Sequence, residues 1–307
     1  MTRIATSTMI EFSRNDIMRA QQELVQAQTS VSTGKVATDV AGYGGDAQAL
    51  IGTSRMVAQA EGYIDVNREA QTRLQLQDVE LERQASAINE LSETLLESLA
   101  LGDLGAIPNA IDDTFATLQS SMNTTLGGRY IFGGARDDVP PVTADAIGDI
   151  TGGAGADALQ ADGRKGYLQI DESTRVETNP LPQDYAVGGF EALRELEDFN
   201  IGPNGPFEGA PDTATSDFIS GIIQDLEAAY QEILNAQASN GQILAEVEQT
   251  EITQTARRDM LEASVGDMSD VDLAEAAVEL TAAQTQFEAT AQAFNTVQGL
   301  SLLNFLN

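Results

Sequence analysis

The sequence contains no histidine, no cysteine and no tryptophan among its 307 residues. Histidine is the side chain that ordinarily titrates near neutral pH, and cysteine supplies thiolate nucleophiles and soft metal ligands. Their absence removes the most common general base, the soft metal ligands and any disulfide. We therefore expect no catalytic residue, no metal site, no bound cofactor and no enzymatic activity.

Positive charge is also scarce, since 16 lysines and arginines face 48 aspartates and glutamates, for a net charge of −32. Such a chain repels the phosphates of nucleic acids and anionic lipid surfaces. No apolar run is long enough to span a bilayer, and the N-terminal stretch lacks the apolar core of a secretory signal. We expect no nucleic acid and no membrane partner. The protein either stays in the cytoplasm or leaves by a route without a cleaved signal.

Both ends of the chain carry apolar residues at heptad spacing, which is typical of helices that pack along a seam. The C-terminal helix is expected to follow a break at Gly266 and to be capped by Ser269. We expect another surface to bury the apolar stripe of this helix. The predicted seam consists of Ile10, Ile17, Leu24 and Val31 near the start, and Leu273, Leu280, Phe287 and Phe294 near the end.

The middle of the chain predicts long helices on either side of a segment rich in glycine and proline. Heptad residues predict one helix over roughly 47–101, and further heptads resume after residue 216 and run to about 261. Between them, the run GGRYIFGG at 127–134 and two later segments, 166–170 and 174–178, are typical of strands with tight turns.

These elements predict a mainly α fold. We expect a long antiparallel helical bundle with terminal coiled-coil helices and a small β-rich insertion at the tip. Three domains are predicted. Residues 1–46 and 266–307 form a terminal coiled-coil domain, residues 47–127 and 216–265 a central helical bundle, and residues 128–215 the β-rich insertion.

Two acidic motifs suggest a different class of function. The run GGAGADALQ at 152–160 fits one repeat of the calcium-binding β-roll, although that site is built between stacked copies and the sequence has one. Asp137 and Asp138 form an adjacent carboxylate pair of the kind used in acid–base chemistry. A secreted calcium-binding or enzymatic protein is therefore the alternative from another class.

Several stretches resemble the flagellin superfamily. They are the turn STGK at 32–35, the run AEAAVELTAAQTQFEATAQAF in the last helix, and the terminal GLSLLNFL. The stretch LGGRYIFGGARDDVPPV at 126–142 is similar to the pattern GxYxFGGxxxDxPP of hook-associated protein 3, the hook–filament junction protein. A departure is VATDVAGYGGD at 36–46, where many relatives carry an acidic pair followed by proline or alanine.

The resemblance implies a structural subunit of the bacterial flagellum that joins hook to filament by coiled-coil self-assembly of its terminal helices. It implies an extracellular location reached by flagellar type III export without a cleaved signal peptide. The implied partners are further copies of the chain, the hook-associated protein of the adjacent junction ring, filament flagellin and a flagellar export chaperone. A filament flagellin is the alternative within the same class.

Overall fold

The computed structural model describes residues 2–159 and 163–306, without the side chains of residues 2–10, 179, 297 and 299–306. The chain is mostly helical, with a few small antiparallel strand pairs, as the sequence predicts. The helices are α1 (Thr2–Thr33), α2 (Ala47–Leu101), α3 (Ile107–Met122), α4 (Pro182–Tyr185), α5 (Val187–Ile201), α6 (Thr213–Ser269) and α7 (Leu273–Leu306). The strands are β1 (Thr125–Leu126), β2 (Arg129–Tyr130), β3 (Gly166–Gln169) and β4 (Arg175–Asn179).

The chain divides into two compact units, one formed by the residues up to Ala60 and from Ala256 onward, the other by Glu61–Thr255. The predicted division into three domains stays a prediction. In the described residues, no helix combines the length and the apolar character that a membrane crossing requires.

In the first unit, α1 packs antiparallel against α7, as predicted for the two ends of the chain. Gln286 donates to Glu23 at 3.0 Å, and Lys35 pairs with Asp270 at the other end of the contact. Helix α1 ends where the sequence predicts, because Gly34 adopts φ of +69° and donates its N–H to Ser30 O at 2.9 Å. This left-handed residue closes the last turn without the steric penalty that a Cβ would bring.

The expected helix break at Gly266 and the expected cap at Ser269 are both wrong. Helix α6 continues through Gly266 to Ser269, since one glycine weakens a helix by about 1 kcal/mol without ending it. Helix α6 ends where its backbone bonds to the loop after α1. There Val36 N–H donates to Ser269 O, and Val271 N–H donates to Gly34 O. Asp272 caps α7 by accepting from Ala274 N–H at 2.8 Å.

In the second unit, α2, α3, α5 and α6 surround the larger of two apolar clusters, and a smaller cluster joins α2 and α6 to Ile170 and Val176. Phe115 of α3 meets Phe190 of α5 edge to face, with ring centroids 6.1 Å apart. The heptad positions of the sequence point inward as predicted. The fully buried ones include Leu74, Leu81, Ile88 and Leu95 of α2 and Ile222, Leu226, Ile233 and Val247 of α6.

The segment between α3 and α6 contains two short hairpins and α5. Strands β1 and β2 pair across Gly127 and Gly128, both with positive φ, which is the turn that a two-residue hairpin favours. The predicted strand in GGRYIFGG is thus confirmed but short, and Ile131 and Phe132 after it enter the core. Strands β3 and β4 pair antiparallel, close to the predicted ranges.

Buried amide side chains of α2 hold these hairpins. Gln77 donates from Nε2 to Ile131 O at 2.7 Å and to Thr178 O at 2.8 Å, so one side chain joins both hairpin segments. Asn67, which lies earlier in α2 than Gln77, donates to Ile170 O at 3.1 Å. Each carbonyl is thereby satisfied inside a region that excludes water, where an unpaired carbonyl is costly.

Replacing Gln77 with leucine should destabilise the second unit by about 2–4 kcal/mol, because two buried carbonyls lose their donor. Gln75→Leu is the matched control, since Gln75 lies two residues away on the exposed face of α2. Urea unfolding followed by circular dichroism measures both. Equal midpoints for the two variants would contradict a structural role for the Gln77 amide.

Candidate self-assembly surface

The contact between α1 and α7 repeats at heptad spacing on both helices. On α1, the residues that face the contact are Ser13, Ile17, Ala20, Leu24, Ala27 and Val31, of which Ala20 and Ala27 are buried. On α7, they are Ala276, Leu280, Ala283, Phe287, Thr290 and Phe294, of which Ala276 is buried. The remaining members of both sets are only partly buried. Two helices alone therefore do not cover this surface.

The structure places most of the predicted seam at this contact. Ile17, Leu24 and Val31 lie on the inner face of α1, and Leu280, Phe287 and Phe294 lie on the inner face of α7. Leu273 does not, since it is 59% exposed at the start of α7. The side chain of Ile10 lies outside the described residues.

The apolar stripe of α7 is wider than the surface that α1 covers. Ala277, next to the buried Ala276, is exposed. Val278, one residue further, is 69% exposed. A helix that is apolar over this much of its circumference requires more than one neighbour to bury it.

Helix α1 also carries apolar side chains away from α7. Met18 and Val25, one heptad apart, are 49% and 54% exposed and line a shallow groove with Gln21, Gln22 and Gln26. These side chains were not predicted as seam residues, although their seven-residue spacing was present in the sequence. The first unit thus exposes apolar stripes on both terminal helices.

Threonine hydroxyls along α7 bond to the backbone of their own helix. Thr281, Thr285, Thr290 and Thr296 each donate from Oγ1 to the carbonyl four residues earlier, at 2.8–2.9 Å. Thr29 and Thr33 of α1 do the same. These hydroxyls have satisfied their donors without any partner molecule.

A groove beside the α1–α7 contact is acidic. It is lined by Glu23 of α1 and by Asp272, Glu275 and Glu279 around the start of α7. Among the described residues, no lysine or arginine lines it. A surface that docks here must bring positive charge or keep the carboxylates hydrated, because unpaired carboxylates resist burial.

The loop after α1 is held to the α6–α7 joint by an ion pair within a backbone bridge. Lys35 Nζ lies 2.5 Å from Asp270 Oδ1 and 3.1 Å from Ser269 Oγ. The hydrogen bond from Lys35, then that from Ser269, lowers the pKa of the Asp270 carboxyl below its usual value of 3.8. This arrangement fixes where α7 starts and hence which face it turns to α1.

The two acidic motifs of the alternative function are engaged within the chain. The Asp157 carboxylate accepts from Ala154 N–H at 2.9 Å, inside its own turn, and Gln160 lies outside the described residues. Asp137 accepts two hydrogen bonds from Arg129, and this contact raises the pKa of the arginine. No cluster of three or more potential metal ligands occurs in the part of the chain that the structure describes.

The C-terminal part of the chain, which includes α7, is similar to one protein family. Residues 223–306 match the family model of the bacterial flagellin C-terminal helical region. This range covers most of α6 and α7, so this part of the chain is flagellin-like. No curated protein sequence matches the chain.

Solved structures share the fold at low identity. A protein from Vibrio parahaemolyticus described as a flagellar hook-associated protein is 11% identical, with a TM-score of 0.56 over 72% of this chain and 96% of that one. FlgL of Xanthomonas campestris is 13% identical, with a TM-score of 0.56 over 70% and 99% of the two chains. FlgL of Bacillus cereus is 12% identical, with a TM-score of 0.50 over 66% and 98%. These likenesses concern the fold.

Replacing Asp270 with asparagine should loosen the joint at neutral pH, because Lys35 loses its charged partner. Hydrogen exchange should accelerate at the amides of Val36 and Val271, which bridge the joint. In the unchanged protein the same loosening should appear only in acid: a carboxyl with a lowered pKa stabilises fully above 3.8 and stops doing so as pH falls through its lowered value.

Asp267→Asn is the control, since it removes the same charge from an exposed position on α6. If this variant accelerates exchange as much as Asp270→Asn, the effect belongs to net charge, and the ion pair has no specific role.

Proposed function

We propose that this protein is a structural subunit of the bacterial flagellum that joins hook to filament through coiled-coil self-assembly of its terminal helices. The observation that carries the proposal is the incomplete burial of the α1–α7 contact. Leu280, Phe287 and Phe294 face α1 and are still only partly buried. Copies of the chain placed side by side would cover them.

The energetic argument favours assembly over an isolated pair of helices. Burying one large apolar side chain contributes about 1.5–3 kcal/mol. Several partly exposed positions per copy can offset the ordering cost and the mutual repulsion of chains with a net charge of −32. The flagellin-like match over residues 223–306 supports the same surface, and the shared fold of hook-associated proteins supports the choice within the flagellum.

The proposed partners follow from this role. They are further copies of the chain, the hook-associated protein of the adjacent junction ring, filament flagellin, and an export chaperone that covers α7 before assembly. The proposed location is extracellular, reached through the flagellar export apparatus without a cleaved signal. The role is structural, with no substrate and no reaction.

A filament flagellin is the second candidate, because the matched C-terminal region is named for flagellin itself. The two roles differ in copy number, since a junction protein forms a short ring and a filament contains many copies. The calcium-binding or enzymatic alternative has less support, because Asp137 and Asp157 have partners within the chain. Calorimetric titration with calcium separates it from the structural role.

Replacing Phe287 with aspartate should block incorporation into the hook tip and leave the second unit folded. The new carboxylate would lie in the α1–α7 contact, where each neighbouring copy must pack. Circular dichroism of the purified variant checks the fold, and motility with electron microscopy of mutant cells checks assembly.

Gln292→Asp is the matched control, since it adds the same charge to an exposed position on the same helix. It should assemble normally. Normal filaments in Phe287→Asp cells would show that this stripe is not the assembly surface.

Deleting the gene should leave cells with hooks but without filaments, and with flagellin shed into the medium. A junction protein predicts this phenotype because filament subunits then have no surface on which to start. Electron microscopy and immunoblotting of the medium measure it. If the deletion instead leaves an empty junction with no flagellin made or shed, the chain is the filament subunit.

A further inference from the structure

Helix α1 carries a second heptad row on the side that faces away from α7. This row, which we call the α1 outer row, consists of Asn15, Met18, Gln22, Val25, Thr29 and Ser32. It contains no charged residue, although aspartates and glutamates number 48 in the whole chain. A helix that packs on one side only faces water on the other, and that is where charged side chains are expected. The α1 outer row is therefore unusual for a surface that stays in water.

The middle of the α1 outer row borders the shallow groove on this helix. Met18 and Val25 are 49% and 54% exposed. The residues that line the groove are all uncharged: Met18, Gln21, Gln22, Val25 and Gln26. The Thr29 hydroxyl donates to Val25 O at 2.8 Å, so it needs no acceptor from another molecule. Burial of this surface would desolvate amides, which a partner can bond, but no charge.

Helix α7 has a matching row on the side that faces away from α1. The α7 outer row consists of Ala274, Val278, Thr281 and Thr285, which are all exposed and uncharged. Val278 is 69% exposed. Thr281 and Thr285 donate their hydroxyls to carbonyls of their own helix, so they also need no acceptor from a partner. The α1–α7 pair thus has an uncharged row on each of its two outer sides.

Opposite charges flank the two rows. Arg14 and Arg19 are exposed beside the α1 outer row, and Arg19 also lies 3.4 Å from Asp16 of the same helix. Three exposed carboxylates lie beside the α7 outer row or just past its end: Glu275, Glu279 and Glu288. An α1 outer row that meets an α7 outer row brings arginines toward glutamates, whereas two α7 outer rows bring glutamates together. Charge therefore favours contact between unlike rows.

We propose that the α1 outer row of one copy packs against the α7 outer row of a second copy. This inference rests on the proposed function, and it adds the surface through which neighbouring copies join side by side. The two rows differ, so the contact is heterologous, and each copy uses one row on each side. A heterologous contact that closes by rotation forms a ring of copies. The helix pairs then form one continuous layer in which every α1 lies between two α7 helices.

Chemical crosslinking tests this contact cleanly, because the chain contains no cysteine of its own. Cells that lack the native gene express the double variant Val25→Cys/Val278→Cys. Their purified flagella are treated with a short bismaleimide, which joins two nearby thiols. We expect a ladder of dimers, trimers and larger oligomers on a denaturing gel, since each copy is linked on both sides. Either single variant should stay monomeric.

The double variant Gln249→Cys/Val278→Cys is the matched control, since Gln249 is exposed on α6 and belongs to neither row. It should give no ladder, and an equal ladder from it would overturn the proposal. Dimers from Val25→Cys alone or Val278→Cys alone would show contact between like rows and overturn it as well. So would a Val25→Cys/Val278→Cys chain that is present in the flagella without a ladder. If the unchanged chain is absent from purified flagella, the proposed function itself fails.

Replacing Val25 with glutamate should reduce incorporation into flagella by about tenfold or more, because it places a charge inside the contact. Gln28→Glu is the control, since it adds the same charge to an exposed position of α1 outside the outer row. Immunoblots of purified flagella measure both variants, and circular dichroism of the purified chains should show unchanged helicity. Normal incorporation of Val25→Glu would contradict the contact. A loss of helicity in this variant would assign Val25 to packing within the chain and contradict it too.

Discussion

Hydrogen bonds from buried amides to backbone carbonyls determine how the second unit is put together. Short hairpins have few bonds of their own, and isolated two-stranded hairpins are marginally stable in water. Gln77 and Asn67 of α2 therefore donate to backbone carbonyls that directly follow β2 and β3. Asn240 of α6 donates to Leu74 O of α2. Because each amide can reach its acceptor in only one register, these contacts specify the packing as well as stabilise it.

The two units differ in how far their apolar side chains are buried. In the second unit, leucines at heptad spacing are fully buried within one chain, as Leu74 and Leu81 are. In the first unit, the same spacing on α1 and α7 yields partial burial, and Leu273 and Val278 remain largely exposed. The same heptad pattern thus forms a fully buried core in the second unit and a partly exposed apolar surface in the first. This contrast is the physical basis of the proposed assembly role.

The helices were predictable because their periodic patterns are long. The bounds of α2 follow from heptads and a following glycine, and the inner faces of α1 and α6 follow from residue spacing alone. The α6–α7 joint was not predictable, since it depends on Lys35, more than 200 residues earlier in the chain, reaching Asp270. The amide contacts were hidden for the same reason: the polar residue Gln77 inside a heptad pattern does not reveal which distant carbonyl it meets. On α7, the stripe was visible, but its division between covered and exposed sides depends on the position of α1.

The threonines of α7 change what a neighbouring molecule would touch. With Oγ1 of Thr281 and Thr285 committed to carbonyls of the same helix, the γ-methyl group is the remaining substituent on each Cβ. Hydropathy scales count threonine as polar, so these scales underestimate the apolar surface of α7. A neighbour that packs here meets rows of methyl groups that need no hydrogen bond from it. Packing on such rows depends on shape and not on directional contacts, so it leaves the sideways position of a neighbouring molecule less strictly fixed than hydrogen bonds would.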